Sequence, residues 1–319
     1  MSGTGGRRHE KLLERTLIVA TLLMFVVIVA SAFLRLAQDG LGCADWPACY
    51  GVIAPQAPGG AAVPPLEMVM RVVHRIAAAG VGFAVIVISV LCFRGGDDRR
   101  RKWIAVALLA LTVFLAVLGR ATPGAVLPAV TLGNLLGGLL MLGLIWQLRL
   151  VVPGAARAPV SAWVRLGLVL LALQIALGAS VSAFHAAASG ATLPSCHGAW
   201  RPSGGAIEAL DPMRPPPALS GAALAAEPTR AALHMAHRFS ALLVLAYWGV
   251  LAIVRGRAGG GAATALTAGV LLAQGVTGAA AVWLGMPLAA AVLHNALAAL
   301  AVLAAVSATS LSVLAPTNS

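Results

Sequence analysis

The chain has 319 residues, of which 60% are hydrophobic and only 10% are charged. Soluble proteins are about a quarter charged, so this composition excludes an ordinary water-soluble domain and indicates a protein whose main solvent is lipid. The formal net charge of +12 does not indicate nucleic-acid binding, because most Lys and Arg residues fall in short stretches between apolar segments, as they do in the cytoplasmic loops of membrane proteins.

Eight apolar segments follow one another along the chain, and each approaches or exceeds the roughly 20 residues that a membrane-spanning helix needs. Helices are expected throughout, because hydrocarbon offers no hydrogen-bond partner to an exposed backbone. The sequence therefore predicts an all-α polytopic membrane protein. The predicted segments are 16–36, 67–93, 103–120, 126–148, 163–184, 231–254, 263–283 and 288–312.

The basic stretches also predict the orientation of the chain in the membrane. They lie at the N-terminus and after the second, fourth and sixth segments, so these parts and, by parity, the C-terminus are predicted to face the cytoplasm of a bacterium. The connections 37–66 and 185–230 are long and rich in Pro and Gly, and they alternate with short connections near 121–125 and 284–287. All four are predicted to lie on the outer side of the inner membrane.

This alternation of long and short connections indicates an internal repeat, with one half at 1–150 and the other at 151–319. Four helices per repeat is an even number, so both halves have the same orientation and are predicted to be related by a pseudo-twofold axis along the membrane normal. Short motifs match at corresponding places in the two halves. They are Arg71-Val-Val-His74-Arg75 with His234-Met-Ala-His237-Arg238, and Gly133-Asn134 with His294-Asn295.

Three histidines, His74, His237 and His294, lie near the outer ends of predicted helices. Ionisable residues inside a membrane are costly and therefore candidates for function. His237 and His294 are predicted at similar depth on two helices of one bundle, where two facing imidazoles are natural axial ligands for heme iron. Zinc is the competing metal, but it usually takes four ligands, and no spacing of Cys and His supplies them. Heme is therefore the preferred interpretation.

The residues beside these histidines are further candidates. Arg75 and Arg238 directly follow His74 and His237, and arginine suits a heme propionate because it binds carboxylates in a bidentate manner; the alternative is that each simply extends to the membrane interface. His234 shares a helix face with His237. It is interpreted as a partner of that ligand, as a substrate-facing group or as an interfacial residue.

Glu67 and two cysteines complete the candidate residues. Glu67 lies two turns before His74 on roughly the same helix face, where it is interpreted as a catalytic acid-base or as a favourable charge at a helix N-terminus. Cys43 and Cys49 are separated by five residues that include a proline, which permits a small closed loop. The pair is either a structural staple or a redox-active pair. Cys92 is interpreted as structural.

These residues resemble the heme A synthase family. The stretch 35–51, with Cys43 and Cys49, is similar to the first outer loop of that family, and the two His-Arg pairs and His294 match its histidines. The resemblance covers nearly the whole chain and implies eight helices in two pseudo-symmetric four-helix bundles. It implies an oxidoreductase that converts the C8 methyl of heme O to the formyl of heme A with oxygen from water.

The same resemblance assigns roles to the residues. It implies heme b between His237 and His294, and heme O as the substrate in the first half with His74 near its iron. Electrons would leave through heme b or through the pair Cys43 and Cys49. The expected partners are heme O, heme O synthase, assembly factors of the terminal oxidase that receives heme A, membrane lipid and a second copy of the chain, with no nucleic acid.

Three positions depart from the pattern of the family, and all lie in or beside the expected substrate chemistry. Gly133 stands where the family has a histidine, and Arg71 where it has a glutamate three residues before His74. Cys196 is the one cysteine of the second outer loop, with Gly190 near the place of the other. These departures motivate a second hypothesis, a non-catalytic heme-binding assembly protein. The third, a transporter, is suggested only by the parallel repeats.

Overall fold

A computed structural model of the chain describes residues 3–39, 64–96, 98–121, 127–151, 160–196, 198–200, 211–215, 223, 226–258 and 261–309. Within these ranges the regular structure is helical, apart from one isolated bridge between Cys196 and Ala199. Eight helices are long and apolar enough to span a membrane, which confirms the predicted all-α polytopic fold. They are α1 (Gly3–Gln38), α2 (Pro65–Arg94), α3 (Arg99–Ala121), α4 (Pro128–Arg149), α5 (Ala162–Ala183), α6 (Pro228–Arg257), α7 (Ala262–Trp283) and α8 (Leu288–Ser307).

The ends of the first and last helices differ most from the predicted boundaries. Helix α1 begins at Gly3 rather than at residue 16, because its charged first turns pack on the following helices. Arg101 donates to both carboxylate oxygens of Glu10 at 2.9 and 3.1 Å, and Nε2 of His9 lies 3.0 Å from the carbonyl oxygen of Leu91. An apolar segment predicted from hydropathy ends at such charged residues, whereas the helix continues through them. Helix α8 ends at Ser307, and residues 310–319 lie outside the described ranges.

Each half of the chain forms its own bundle. Helix α1 packs on α2, α2 on α3, α3 on α4 and α4 on α1. The helices α5 to α8 pack on one another in the same order, but α8 packs more extensively on α1 and α4 than on α5. The bundles meet through α1 and α4 of the first half and α5 and α8 of the second. This packing agrees with two four-helix halves, and their pseudo-twofold relation stays a prediction.

Large side chains fill the two bundle cores and also cover the outside. Ile88, Leu108 and Leu142 are fully buried in the first bundle, and Trp248 is fully buried in the second. Many other large apolar side chains are exposed, among them Phe83 at 70%. A surface of this kind requires an apolar solvent, so it agrees with helices that face lipid.

One end of the molecule, here named the site end, is where α1, α3, α5 and α7 end and where the other four helices begin. The halves are joined there by polar contacts. Arg35 donates to the hydroxyl of Ser182, and Nε2 of His185 lies 3.3 Å from a carboxylate oxygen of Asp39. Leu36 is buried beside Ala188 of the segment that follows α5. The opposite end of the molecule carries the described basic residues of the predicted cytoplasmic stretches.

Candidate functional site

The structure brings His237 and His294 together near the site end of the second bundle. His237 lies on α6 and His294 on α8, and their ring centroids are 6.4 Å apart with planes inclined by 77°. Both side chains are half-buried. The two rings thus face each other edge to face inside one bundle, on helices that are not consecutive in the chain.

Two glycines make the room for these rings. A Cβ atom built at Gly178 of α5 would lie 2.9 Å from Cε1 of His237, and one at Gly278 of α7 would lie 3.0 Å from Cε1 of His294. A contact as short as the one at Gly178 is essentially absent for real side chains, and the one at Gly278 is tighter than most, so a larger residue at either place would shift the ring. The helices that flank the histidines are therefore shaped for imidazoles.

The partners of His294 define which of its nitrogens carries the proton. Nδ1 lies 3.1 Å from the main-chain carbonyl oxygen of Gln274, and Nε2 lies 3.1 Å from the side-chain amide nitrogen of the same glutamine. Because a carbonyl oxygen only accepts, Nδ1 donates its proton, and the lone pair of Nε2 accepts a hydrogen from the side-chain amide of Gln274. This tautomer, assigned from its partners, is the one that binds a metal ion through Nε2.

A second glutamine lies beside His237. The amide nitrogen of Gln174 is 3.1 Å from Nδ1 of His237 and donates to the main-chain carbonyl of the same histidine at 3.2 Å. The amide oxygens of Gln174 and Gln274 are both buried and have no hydrogen-bond partner among the described residues. Unsatisfied buried polar atoms are rare in proteins, so both oxygens can accept a hydrogen bond from a further group beside the two rings.

The donor set and its spacing fit a heme iron. Two metal–imidazole bonds of about 2 Å each, together with the half-widths of the two rings, nearly fill the 6.4 Å between the centroids. Two neutral imidazoles on facing helices are a ligand set that heme accepts. Among the described residues, no three or more His, Cys, Asp or Glu side chains gather into a group that could hold a metal ion, so a zinc site of the usual kind is not found there.

His234 and Arg238 of α6 hold the segment that follows α5. His234 is 5% exposed, its Nδ1 lies 3.1 Å from the carbonyl oxygen of Ala186, and its ring leaves no space for a Cβ atom at Gly190. The guanidinium of Arg238 donates to the carbonyl of Gly190 and to that of Thr192 at 2.8 Å. Contacts of these two residues with heme stay a prediction, because their described partners belong to this segment.

Cys196 lies on the same segment and is 2% exposed, in contact with the apolar residues Ala231 and Met235. It is a free thiol in the structure, and burial raises its pKa above the usual range of a cysteine. Cys92, also free, is buried in the core of the first bundle. Cys43 and Cys49 lie outside the described residues, so their disulfide or redox role stays a prediction.

In the first bundle, Glu67 is bound to residues other than His74. A terminal guanidinium nitrogen of Arg71 donates to its carboxylate at 2.6 Å, and the side-chain amide of Gln38 donates to it at 3.1 Å. Arg71, which stands at the glutamate position of the resembled family, is thus the counter-ion of a glutamate one turn earlier. His74 is half-buried on α2, and Arg75 is exposed next to it.

Leu118 of α3 occupies the space that a histidine at position 133 would need. A Cβ atom at Gly133 would lie 2.6 Å from Cδ1 of Leu118 and 3.5 Å from Cζ of Phe114. In the second bundle the large residue is His294 on α8 and the small one is Gly278 on α7, so the sizes are exchanged between the partner helices. At this place the first bundle therefore has the apolar side chains of Leu118 and Phe114 rather than a histidine.

Sequence reasoning missed four residues of the second bundle. Gln174 and Gly178, like Gln274 and Gly278, form the pattern Gln-x3-Gly, and each pattern lies in the segment that precedes a histidine-bearing helix. The pattern recurs once in α5 and once in α7. The recurrence of this pattern in the sequence could have identified these four residues, because two residues four apart share one helix face.

Two comparisons with known proteins bear on this site. A family model described as cytochrome oxidase assembly protein matches residues 14–306, which include all eight spanning helices in whole or in large part. A curated heme A synthase from Shewanella oneidensis (strain MR-1) is 30% identical in an alignment of 316 residues that covers 91% of this chain and 93% of that protein.

Proposed function

The chain belongs to the cytochrome oxidase assembly protein family, and we propose that it is a membrane oxidoreductase that makes heme A from heme O. The similarity to a heme A synthase along nearly the whole length supports heme A synthesis as the process. The observation that carries the proposal is the pair His237 and His294, whose ring centroids lie 6.4 Å apart. Gly178 and Gly278 leave the room that the two rings occupy.

The proposed reaction oxidises the C8 methyl group of heme O to a formyl group. Two successive hydroxylations with oxygen from water, followed by loss of one water from the resulting diol, convert CH3 to CHO. The balance releases four protons and four electrons, so the protein requires an electron acceptor in or at the membrane. The product is supplied to a terminal oxidase.

The second bundle would hold heme b between the imidazole rings of His237 and His294. When bound there, heme b supplies one-electron redox chemistry. The carbonyl of Gln274 keeps the proton of His294 on Nδ1, which leaves Nε2 basic.

The first bundle would hold the substrate. His74 is proposed as the ligand of the iron of the substrate heme. Arg75 is proposed as a partner for a propionate, since Arg75 lies next to His74 on the same helix and is exposed. Leu118 and Phe114 close the place of a second ligand beside Gly133, so His74 is the single protein ligand in this proposal. Glu67 is proposed to accept or donate a proton during the oxidation, with Arg71 and Gln38 holding its carboxylate in position.

A second candidate function is a heme-binding assembly protein of the same fold that has no catalytic activity. The closed place at Gly133 favours it, because the resembled family has a ligand there. The ion pair of Glu67 with Arg71 also favours it, since the charge of the carboxylate is already compensated. The two candidates differ in one measurable property, the formation of heme A from supplied heme O.

The location and the partners belong to the proposal as well. The basic end of the bundle, with Arg94, Arg101, Arg149 and Arg255, is proposed to face the cytoplasm of a bacterium, because positive residues remain on that side. Both termini would then be cytoplasmic and the site end would face outward across the inner membrane. Heme O synthase and the assembly factors of the oxidase are the proposed protein partners.

The heme site is tested by the spectrum of the purified protein. The proposal expects low-spin heme b with two histidine ligands in the wild type, and loss of that signal in His237→Ala and in His294→Ala. His9→Ala is the matched control, because His9 lies at the opposite end of the molecule beside Leu91. Unchanged heme content in both site variants would show that these histidines do not bind heme.

A further inference from the structure

We propose that Gly178, Gly278 and the main-chain carbonyl of Gln274 position the two histidine ligands and thereby set the reduction potential of the bound heme. This inference rests on the proposed heme site. It concerns residues of α5 and α7, which carry no ligand themselves. Gly178 and Gly278 are each the last residue of one Gln-x3-Gly pattern, and each lies beside one imidazole.

The main-chain carbonyl of Gln274 is accessible to His294 because residue 278 is a glycine. In an α-helix the carbonyl of residue 274 accepts the amide hydrogen of residue 278, one turn later. A carbonyl oxygen has two lone pairs, and here the second one receives Nδ1–H of His294 at 3.1 Å. A Cβ at position 278 would stand 3.3 Å from that Nδ1 and would push the ring away from the carbonyl.

The hydrogen bond has a consequence for the metal. A histidine that donates its Nδ1 proton to an acceptor becomes a more basic ligand through Nε2. Hydrogen bonding of this kind around an axial ligand is one of the means by which a protein changes the potential of a heme. A stronger bond favours the ferric state, which has more positive charge, so weakening the bond raises the potential.

Gly178 acts on the other ligand by steric contact. A Cβ there would lie 2.9 Å from Cε1 and 3.4 Å from Nδ1 of His237, on the edge of the ring that the amide of Gln174 also touches. A side chain at 178 would rotate or shift this ring away from Gln174. The planes of the two imidazoles are inclined by 77°, and a rotation of either ring changes this angle.

The test compares three glycine-to-alanine variants of the full-length protein purified with its heme. Gly278→Ala and Gly178→Ala add the methyl groups that would meet the rings. Gly275→Ala is the matched control, because it lies on α7 next to Gln274 and has no atom within 4 Å of a Cβ. Alanine is a better helix former than glycine, so none of the variants weakens its helix.

The readouts are the reduction potential, the g-values of the ferric low-spin heme in electron paramagnetic resonance, and the heme content. We expect a raised potential in Gly278→Ala, altered g-values in both site variants, and wild-type values in Gly275→Ala. If the two glycines only left room for the heme, the variants would change heme content without changing the potential of the heme that remains bound.

Wild-type potential and g-values in both site variants would overturn the proposal, and so would an equal change in Gly275→Ala. If Gly278→Ala retains too little heme to measure, Gly178→Ala decides alone, and wild-type g-values there overturn the proposal. A wild-type protein that binds no heme would instead contradict the proposed function. The two failures are therefore distinguishable.

Discussion

Leu118 of α3 packs against Gly133 of α4 so closely that a Cβ atom at position 133 would lie 2.6 Å from its Cδ1 atom. The corresponding place on α8 carries His294, which faces Gly278 of α7 instead. A single exchange of small and large residues between partner helices thus separates a bundle with two facing histidines from a bundle with one histidine on α2.

This exchange predicts the outcome of restoring the histidine. Gly133→His alone should crowd Leu118 and lower the stability by about 1 kcal/mol, the low end of the cost of overpacking, because the atom it meets is the end of a half-buried side chain. We expect no added ligand, because Leu118 still stands beside position 133. Gly133→His combined with Leu118→Ala should regain stability and convert heme bound at His74 to a six-coordinate low-spin form. Thermal unfolding and absorption spectra check both results. A new low-spin signal in Gly133→His alone would contradict the steric argument.

A second steric prediction concerns His234 and Gly190. Gly190→Ala should destabilise the protein by about 1–3 kcal/mol, because the ring of His234 fills the space beside Gly190. His234→Ala should relieve the cost, so that the double variant loses less than the sum of the two single changes. Thermal unfolding of the four proteins measures this coupling. Strict additivity would show that the two residues do not compete for the same space.

Glu67 gives a prediction that separates activity from stability. Glu67→Gln should leave stability within about 1 kcal/mol, because the pair with Arg71 is exposed to solvent on the arginine side and such pairs contribute little. Loss of a general acid-base should lower the rate of heme A formation at least about a hundredfold. Glu14→Gln is the matched control, because it removes an exposed carboxylate that pairs with Arg149 at the opposite end of the molecule. Full activity of Glu67→Gln would leave the residue a structural one.

The buried thiol of Cys196 predicts low chemical reactivity. Burial raises the pKa of this thiol, so at a given pH the reactive thiolate is scarcer than for a free cysteine, and alkylation should accelerate only at higher pH. A variant with Cys43, Cys49 and Cys92 replaced by serine isolates the reaction at Cys196. Mass spectrometry should find slow labelling in the folded protein and rapid labelling after denaturation. Rapid labelling of the folded protein at neutral pH would show that the thiol is accessible.

Composition and hydropathy were sufficient to predict the spanning helices, because lipid imposes a minimum apolar length and a helical backbone on every segment. The pairing of His237 with His294 followed from their equal depth in one bundle. The early start of α1 was not predicted, since Glu10 is stabilised by Arg101, a partner distant in the sequence that hydropathy does not register.

The finer features of the sites depend on which residues touch across helices. The sequence shows a glycine at 133, but not that Leu118 fills the place beside it. The spacing of Glu67 and Arg71 on one helix indicates their ion pair, but the sequence does not show that Gln38 of α1 binds the same carboxylate. The carbonyl of Gln274 is a main-chain group, so the residue type at 274 gives no indication that His294 donates to it.

The most direct test of the account is the heme composition of cells that contain this protein together with a heme O synthase. Heme is extracted, separated by chromatography and identified by mass, with cells that lack the chain and cells that carry the His74→Ala variant as controls. The account predicts heme A or its hydroxylated intermediate with the wild-type chain and neither in the controls. Heme O alone in the wild-type sample, despite stable heme b in the purified protein, would contradict the catalytic function and favour the non-catalytic assembly protein.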